Sequence, residues 1–265
     1  MAGKHNPRVK YLRRLGSRRF REREGAFLVE GVRFVEEALA SGWLVEMLAY
    51  RPGIAESGRG RALLEKAASR GVELLEVEEG LFRELAGTET PQGVLAAVQQ
   101  RGAGLEDMRR DGGPALLVLV DGVRDLGNLG TIVRSADAAG AGGVILLKGT
   151  ADIYNPKALR ATMGSIFHLP VAGGVSPEEA LNCLEHWGVK AVAGDPRGER
   201  LVYECDLTVP CALVVGNEAG GVSAGVMKRV AGRVRIPMPG RAESLNVAIS
   251  TVILLYEAVR QRGLK

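Results

Sequence analysis

The sequence is poor in cysteine and contains no long apolar stretch. Its three cysteines, Cys183, Cys205 and Cys211, are odd in number and lack the CxxC spacing of metal ligands. They therefore disfavour a disulfide framework or a zinc site and fit a reducing compartment. Apolar runs such as Ala115–Val120 fall far short of the roughly 20 residues that span a bilayer, and the basic N-terminus lacks the apolar region of a secretory signal. We expect a cytoplasmic protein with no membrane segment and no metal.

The sequence also lacks the glycine motifs of the common nucleotide-binding folds. No GxxxxGK followed by Ser or Thr is present, and no GxGxxG stands between a strand and its helix. The three histidines, His5, His168 and His186, are scattered and share no spacing with the cysteines. A P-loop hydrolase, a dinucleotide-binding fold and a Ser-His-Asp triad are therefore disfavoured.

Composition indicates two folded domains. The chain has 265 residues, of which 46% are hydrophobic and 25% charged, so most of it can bury a core and disorder is excluded for that part. A glycine-rich, charged stretch follows residue 99 and contains few apolar side chains. We predict a smaller α/β domain at residues 1–100, a linker at 101–113 and a second domain at 114–265.

The second domain carries the pattern of a parallel β-sheet. Aliphatic runs without alternation, separated by helical segments, are typical of strands that are covered on both faces. Examples are Leu116–Val120, Val144–Leu147 and Ala212–Val215. A helix start is predicted at Ser176, because proline follows it and a glutamate stands three residues later, at Glu179. The predicted fold class is α/β.

Positive charge is concentrated at the N-terminus. Residues 1–25 contain nine lysines and arginines but only two glutamates, whereas residues 26–111 are net acidic. Interleaved apolar residues indicate an amphipathic helix rather than a flexible tail. Such a segment can bind a polyanion, with Arg13, Arg14, Arg18 and Arg19 as candidate contacts. A solvated helix face explains the charge equally well.

Three polar or glycine-rich segments follow predicted strands of the second domain, at residues 121–130, 216–221 and 237–244. The carboxyl ends of parallel strands bring such loops to one edge of a sheet. The three segments contain NLGTIVRSA from Asn128, VGNEAGG from Val215, and IPMP from Ile236 with SLNV from Ser244. Together they resemble the three motifs of the SpoU-type (TrmH-like) 2'-O-ribose RNA methyltransferases, a branch of the SPOUT superfamily.

This resemblance implies a fold, a cofactor and an assembly. Members of the family have a parallel sheet whose C-terminal segment forms a deep trefoil knot, bind S-adenosylmethionine in that knot, and are typically homodimers. The reaction needs no metal, because the sulfonium methyl is already activated. Carried over to this sequence, the cofactor-binding positions are Gly216, Asn217, Ile236, Leu245 and Asn246. Glycine permits close approach of the backbone, and aliphatic side chains cover a flat heterocycle.

The resemblance also implies the catalytic positions Arg134, Asn128, Glu218, Ser244 and Asn246. The reaction is attack of a ribose 2'-hydroxyl on the sulfonium methyl group, with loss of the hydroxyl proton. In the family the arginine either removes this proton or anchors the adjacent phosphate. We favour anchoring for Arg134, because a guanidinium stays protonated and its fork matches phosphate geometry.

The other catalytic positions have functional and structural interpretations. Asn128 would orient the ribose or Arg134, and Glu218 would fix an arginine or accept the proton through water. Ser244 and Asn246 would complete the polar wall. Taken alone, each residue is better explained structurally: Asn128 as a helix cap, Arg134 as a surface residue of a helix, Glu218 as a turn residue, and Asn246 as a residue at a helix start. Their joint occurrence in matched motifs favours the functional interpretation.

The first domain resembles the family's substrate-binding module, which is related to a ribosomal RNA-binding protein. The matching segments are FLVEG from Phe27, VEEA from Val35 and TPQGV from Thr90. By this resemblance Glu30 and Gly31 are further candidate RNA contacts. Because the module is associated with ribosomal substrates in the family, we expect ribosomal RNA in preference to transfer RNA. The alternatives are a transfer-RNA ribose methyltransferase and an inactive RNA-binding protein on the same scaffold.

Overall fold

The computed structural model describes residues 1–87, 90–108 and 115–263. The chain divides into two compact units: unit 1 contains Met1–Arg101 and Tyr154–Phe167, and unit 2 contains Gly102–Ile153 and His168–Lys265. Residues 102–108 of the predicted linker belong to unit 2, and residues 109–113 of it lie outside the described residues. The predicted second domain, 114–265, includes residues 154–167, whereas the structure assigns them to unit 1.

Segment 154–167 joins unit 1 through aromatic packing. The ring of Phe27 lies 4.9 Å from that of Tyr154, and the ring of Phe167 lies 5.3 Å from that of Trp43, centroid to centroid. Phe34 adds an edge-to-face contact with Phe167 at 5.5 Å. These rings are more than 100 residues apart in the chain, so no local pattern in the sequence indicates their contact.

Unit 1 is built on a four-stranded mixed sheet. Its elements are α1 (Pro7–Arg14), α2 (Arg18–Glu24), β1 (Ala26–Glu30), α3 (Val32–Ala40), β2 (Val45–Tyr50), α4 (Gly58–Ser69), β3 (Glu73–Glu76), α5 (Glu79–Leu85), β4 (Val94–Gln99) and α7 (Pro156–Thr162). The strand order is β1-β4-β2-β3, in which β4 is antiparallel to β1 and β2, and β2 is parallel to β3.

The basic N-terminal segment is an integral part of unit 1. Val9, Leu12, Leu15 and Phe20 are buried there in one cluster with side chains of β2, β4 and α5. The amphipathic character predicted for this segment is confirmed, although it is divided between two helices, α1 and α2.

Unit 2 is built on a seven-stranded sheet. Its elements are β5 (Leu116–Asp121), α6 (Leu126–Ala138), β6 (Gly143–Leu147), β7 (Val171–Val175), α8 (Pro177–His186), β8 (Lys190–Gly194), β9 (Arg200–Leu201), β10 (Cys211–Gly216), α9 (Ala224–Met227), β11 (Gly232–Arg235) and α10 (Val247–Gln261). The strand order is β7-β6-β5-β10-β8-β11-β9, and every neighbouring pair is parallel. The predicted parallel sheet is confirmed.

Helices cover both faces of this sheet. Leu117 and Leu119 of β5 pack in one cluster with Leu181 and Leu184 of α8. Because side chains alternate along a strand, the intervening residues point to the opposite face. There α6 and α10 pack on each other and against β6, β8 and β10. Burial on both faces explains why these strands read as continuous aliphatic runs.

Local signals at the helix ends behave as their residue types predict. The hydroxyl of Ser176 accepts a hydrogen bond from the backbone N–H of Glu179 at 3.1 Å, so the predicted start of α8 is confirmed. Beyond α10, Gly263 adopts the left-handed conformation with φ +65° that favours glycine after a helix. Within the described ranges, no helix combines the length and the apolar character needed to cross a bilayer.

Candidate active site at the carboxyl edge of the seven-stranded sheet

The loop after β5 is held by hydrogen bonds from its neighbours. Asp121 accepts a bond from the N–H of Ser223 at 2.7 Å, and Gly122 donates to the hydroxyl of Thr150 at 3.1 Å. The carbonyl oxygen of Gly122 accepts from Nδ2 of Asn217 at 2.8 Å. The loops after β5, β6 and β10 are therefore joined at one edge of the sheet, as the strand order requires.

A directed chain of hydrogen bonds links the three predicted motifs. Oδ1 of Asn246 accepts from the backbone N–H of Ala248 at 2.9 Å, which caps α10. Nδ2 of Asn246 donates to Oδ1 of Asn128 at 3.0 Å, and Nδ2 of Asn128 donates to Oε1 of Glu218 at 3.1 Å. Because an ionised carboxylate only accepts, this order fixes the orientation of both amides. Each amide keeps one N–H that has no acceptor among the described residues.

Glu218 acts as the anchor of this chain. Its carboxylate also accepts from the backbone N–H groups of Arg124 at 3.4 Å and Asp125 at 3.3 Å. Partial burial raises the pKa of Glu218. The hydrogen bonds from its own backbone N–H, from Asn128 and from the backbone of Arg124 and Asp125 outweigh that effect and place the pKa below its ordinary value. Nδ2 of Asn217 also donates to Oε2 of Glu218 at 3.4 Å. Of the roles predicted for Glu218, fixing a partner fits this geometry, although the partners are two asparagines and two backbone groups rather than an arginine side chain.

Asn128 does not cap α6. That role belongs to Asp125, whose Oδ1 accepts from the N–H of Asn128 at 2.7 Å. The side chain of Asn128 is therefore left for the bonds to Asn246 and Glu218. Asp125 was missed from the sequence, although its spacing of three residues before Asn128 is the usual signal of a cap.

Arg134 lies on the same helix, α6, and is exposed. Among the described residues its guanidinium has no ion pair, hydrogen bond or ring contact. The structure thus leaves Arg134 available for an external anion but does not bring it into contact with Asn128 or Glu218. Ser244, two residues before Asn246, is also exposed and bonds to none of the described side chains.

The loop after β10 admits no larger residue at Gly216. A Cβ at this position would collide with the backbone of Gly221 and Val222, because the loop folds tightly back on the end of the strand. Asn217 stabilises this turn: its Oδ1 accepts from the N–H groups of Ala219 and Gly220 at 3.0 and 3.2 Å. Its Nδ2 donates to the carbonyl oxygen of Gly122 and to Oε2 of Glu218, so the side chain of Asn217 holds the loop in place.

The segment between β11 and α10 fits a cofactor that is recognised by backbone groups. Within the part of the chain that the structure describes, the backbone of residues 237–244 has no hydrogen-bond partner. Ile236 at its start is half-buried, and Leu245 at its end is 37% exposed, so each presents apolar surface. Unpaired backbone groups flanked by aliphatic side chains are what a heterocycle such as adenine requires.

In unit 1, three of the four predicted arginine contacts already have partners. Arg13 bonds to Glu84 at 2.8 Å, Arg18 bonds to Glu22 at 2.8 Å, and the guanidinium of Arg14 lies 4.1 Å above the ring of Phe20. Arg19 is exposed and makes no such contact with the described residues. Fewer arginines of this segment are therefore available to an external anion than its sequence indicates.

Glu30 and Gly31 have structural partners in unit 1. Oε2 of Glu30 accepts from the N–H of Gly87 at 2.9 Å. Gly31 adopts φ +102°, and a Cβ there would lie 2.8 Å from Oε1 of Gln92. That same oxygen accepts from the N–H of Val32 at 3.1 Å and so caps α3. The Thr-Pro-Gln-Gly-Val segment thus stabilises the turn between β1 and α3.

No metal centre emerges from the described residues: no group of three or more His, Cys, Asp or Glu side chains lies close enough to hold an ion. Metal independence therefore stays a prediction that follows from the family's chemistry.

Both parts of the chain match known protein families. Residues 115–256 match the SpoU rRNA Methylase family, and residues 6–96 match the MRM3-like substrate binding domain. The 23S rRNA (guanosine(2553)-2'-O)-methyltransferase RlmP of Bacillus subtilis (strain 168) is 35% identical over 251 residues, covering 95% of each chain. The 23S rRNA (uridine(2479)-2'-O)-methyltransferase of Streptomyces viridochromogenes is 38% identical and covers 94% of this chain and 87% of its own.

A solved structure supports the same relationship. The SpoU methyltransferase AviRb from Streptomyces viridochromogenes, in complex with the cofactor AdoMet, matches with a TM-score of 0.88 and 36% identity, covering 98% of this chain and 99% of that one. The resemblance found in the three motifs is confirmed. The chain belongs to the SpoU rRNA methylase family and carries a substrate-binding domain of the MRM3-like type ahead of its methylase domain.

Proposed function

We propose that this protein transfers the methyl group of S-adenosylmethionine to a ribose 2'-hydroxyl of ribosomal RNA. The observation that carries the proposal is the hydrogen-bonded chain from Asn246 through Asn128 to Glu218, which joins the three family motifs at one edge of the sheet. Both relatives described above are named as 23S rRNA methyltransferases and cover nearly all of this chain, which favours ribosomal over transfer RNA.

The cofactor would be held by backbone groups of residues 237–244, between the apolar side chains of Ile236 and Leu245. When bound, S-adenosylmethionine supplies a methyl group that its positively charged sulfur has already activated. The tight turn at Gly216 keeps the neighbouring loop close to the sheet edge, and the side chain of Asn217 stabilises that turn. The family's trefoil knot stays a prediction for this chain.

The two asparagines would orient the substrate. Among the described residues each retains one amide N–H without an acceptor, which a ribose oxygen lying beside the bonded pair can accept. Glu218 fixes these donors before substrate arrives, which lowers the entropic cost of alignment. Arg134, with its guanidinium unpaired among the described residues, would anchor a phosphate next to the target ribose, and Ser244 would complete the polar wall.

Unit 1 would bind the RNA outside the target nucleotide. Arg19 is its best candidate contact, because it is exposed and not paired with any described side chain. Arg14 is the next, because an arginine that stacks on an aromatic ring can still present its N–H groups to phosphate. Arg13 and Arg18 would contribute less, since each is bonded to a glutamate.

We also propose that the protein is a cytoplasmic homodimer. On α10, Ile249 is 51% exposed and Tyr256 is 49% exposed, with half-exposed Val252 and Ile253 between them. The spacing of three to four residues places these side chains on one face of the helix, and an exposed apolar stripe of this kind suits a second copy. Sedimentation analysis of Ile249→Arg tests this: a monomer is expected, and an unchanged mass would contradict the assignment.

The experiment that tests the function compares RNA from cells with and without the gene. Ribose-methylation mapping of ribosomal RNA should lose one 2'-O-methyl position, and the gene on a plasmid should restore it whereas its Arg134→Ala variant should not. An unchanged methylation pattern in ribosomal RNA, or a loss confined to transfer RNA, would overturn the proposed substrate.

A further inference from the structure

Unpaired arginines are unevenly distributed in unit 2. Among its described residues, the guanidinium groups without an ion pair, hydrogen bond or ring contact are those of Arg124, Arg134, Arg200 and Arg241. Two of the four, Arg124 and Arg241, lie in the loops after β5 and β11, and Arg134 lies in the second half of α6, within the first predicted motif. Arg200 begins the edge strand β9 instead.

Arg124 lies in a loop, yet hydrogen bonds hold the backbone on both sides of it. On its N-terminal side, the carbonyl oxygen of Val123 accepts from the N–H of Ala151 at 2.9 Å. On its C-terminal side, Asp125 caps α6. The N–H of Arg124 itself bonds to Glu218. The side chain of Arg124 is exposed, and its guanidinium has no partner among the described residues.

The carboxylates next to Arg124 are occupied by other donors. Asp125 accepts from the N–H of Asn128. Glu218 accepts from Nδ2 of Asn128, from Nδ2 of Asn217, and from the backbone N–H groups of Arg124 and Asp125. The same carboxylate therefore holds both the main chain of Arg124 and the amide that would orient the ribose. A phosphate bound by Arg124 would share this rigid frame with the target nucleotide.

We propose that Arg124 binds a backbone phosphate of the substrate RNA beside the ribose that Asn128 and Asn246 orient. The proposal rests on the function proposed above and adds a residue that none of the three motifs contains. The planar fork of arginine suits phosphate, and a pinned backbone reduces the entropy lost on binding. Arg134 and Arg124 together would hold the RNA strand at two points.

The test uses the full-length protein, unmodified 23S rRNA transcribed in vitro, and S-adenosylmethionine with a heavy methyl group. The variants are Arg124→Ala, Arg124→Lys and the control Arg200→Ala, which removes an arginine that is equally exposed and unpaired among the described residues. The measurements are kcat, KM for the RNA, the Kd of S-adenosylmethionine by calorimetry, and the salt dependence of RNA binding.

For Arg124→Ala we expect KM for the RNA to rise roughly tenfold and the slope of log Kd against log salt to fall by about 0.7–0.9. The Kd of S-adenosylmethionine should not change. Arg124→Lys should restore the salt slope but only part of KM, since lysine keeps the charge and loses the fork. Arg200→Ala should match the wild type.

Two results would overturn the proposal: a wild-type KM and salt slope for Arg124→Ala, or a weaker Kd for S-adenosylmethionine in that variant, which would indicate a purely structural role. Failure of the proposed function is a separate outcome, in which the wild type itself transfers no methyl group to ribose. In that case the salt slope of Arg124→Ala still decides whether Arg124 binds RNA phosphate.

Discussion

The N-terminal basic segment of unit 1 and the carboxyl edge of the sheet in unit 2 use arginine in opposite ways. In residues 1–25, Arg8, Arg13 and Arg18 are paired with glutamates, and buried Arg21 donates to the carbonyl oxygen of Gly16 at 2.8 Å. At the sheet edge, Glu218 accepts hydrogen bonds from amide side chains and backbone groups. The arginines there have no ion pair among the described residues.

This difference separates arginines that are paired within the protein from arginines that are left for an external anion. Surface ion pairs contribute little to stability, yet each one lowers the charge that is available to a phosphate. A high count of arginines in sequence is therefore a weaker sign of RNA binding than a few arginines whose neighbouring carboxylates are occupied. By that criterion, the stronger anion site is at the sheet edge.

The largest expected effect is on catalysis at the sheet edge. Arg134→Ala should lower kcat by about 100-fold or more, because an anchor that aligns the reacting groups is lost. The affinity for S-adenosylmethionine should stay unchanged in calorimetry, since Arg134 lies outside the segments that would hold the cofactor. Arg200→Ala is the matched control. Retention of wild-type kcat by Arg134→Ala would remove this residue from the mechanism.

The second effect concerns the stability of unit 1. Leu12 is fully buried, so Leu12→Ala should lower the free energy of unfolding of unit 1 by about 2–5 kcal/mol in chemical denaturation. Arg19 on α2 is exposed, so Arg19→Ala should change the free energy of unfolding by less than about 0.5 kcal/mol. Equal stability of the two variants would show that the segment is not part of the core. Deletion of residues 1–25 would unfold unit 1 and is therefore unsuited to testing RNA binding.

The third effect is on RNA binding by unit 1. Arg19→Ala should reduce the salt slope of RNA binding by about 0.7–0.9, whereas Arg13→Ala should reduce it less. Glu84 bonds to both Arg13 and Lys4, so Glu84→Gln should release two cations and strengthen RNA binding at low salt. A stronger effect of Arg13→Ala than of Arg19→Ala would contradict the contrast between paired and unpaired charge.

Local features of the fold could be predicted from the sequence. The start of α8 at Ser176 and the glycine beyond α10 depend on residues within one helical turn, and the parallel sheet follows from its aliphatic runs. Contacts across the chain could not be predicted, because no local pattern records them. The ion pair of Arg13 with Glu84 spans 71 residues, and the docking of Tyr154 on Phe27 assigns a segment to the other unit.

In the candidate site, too, the residues could be predicted from the sequence but their contacts could not. The resemblance identified Asn128, Glu218 and Asn246, which the structure brings into one hydrogen-bonded chain. Their order in that chain depends on which atoms face each other, and this becomes visible only in three dimensions. The same is true of Arg124, whose importance depends on the bonds of its neighbours rather than on its position in a motif.

The smallest expected effect is the pH dependence of unit 2. The pKa of Glu218 is lowered in the folded state, so the stability that its charge contributes is present above the ordinary glutamate pKa and is lost as pH falls through the folded value. Glu218→Gln should therefore flatten the acid side of the stability profile, with a loss at neutral pH of less than about 1 kcal/mol because the side chain is exposed. Glu243→Gln, at an exposed carboxylate in the loop before α10, should leave the profile unchanged. A steeper acid transition in Glu218→Gln would contradict the lowered pKa of Glu218.

We propose that the sheet edge of unit 2 methylates ribose in ribosomal RNA. The most direct measurement incubates the purified protein with unmodified 23S rRNA and S-adenosylmethionine carrying a heavy methyl group, followed by mass spectrometry of the digested nucleosides. The heavy label should appear in a single 2'-O-methylnucleoside. Label on a base, or no label in RNA despite bound cofactor, would contradict ribose methylation by this protein.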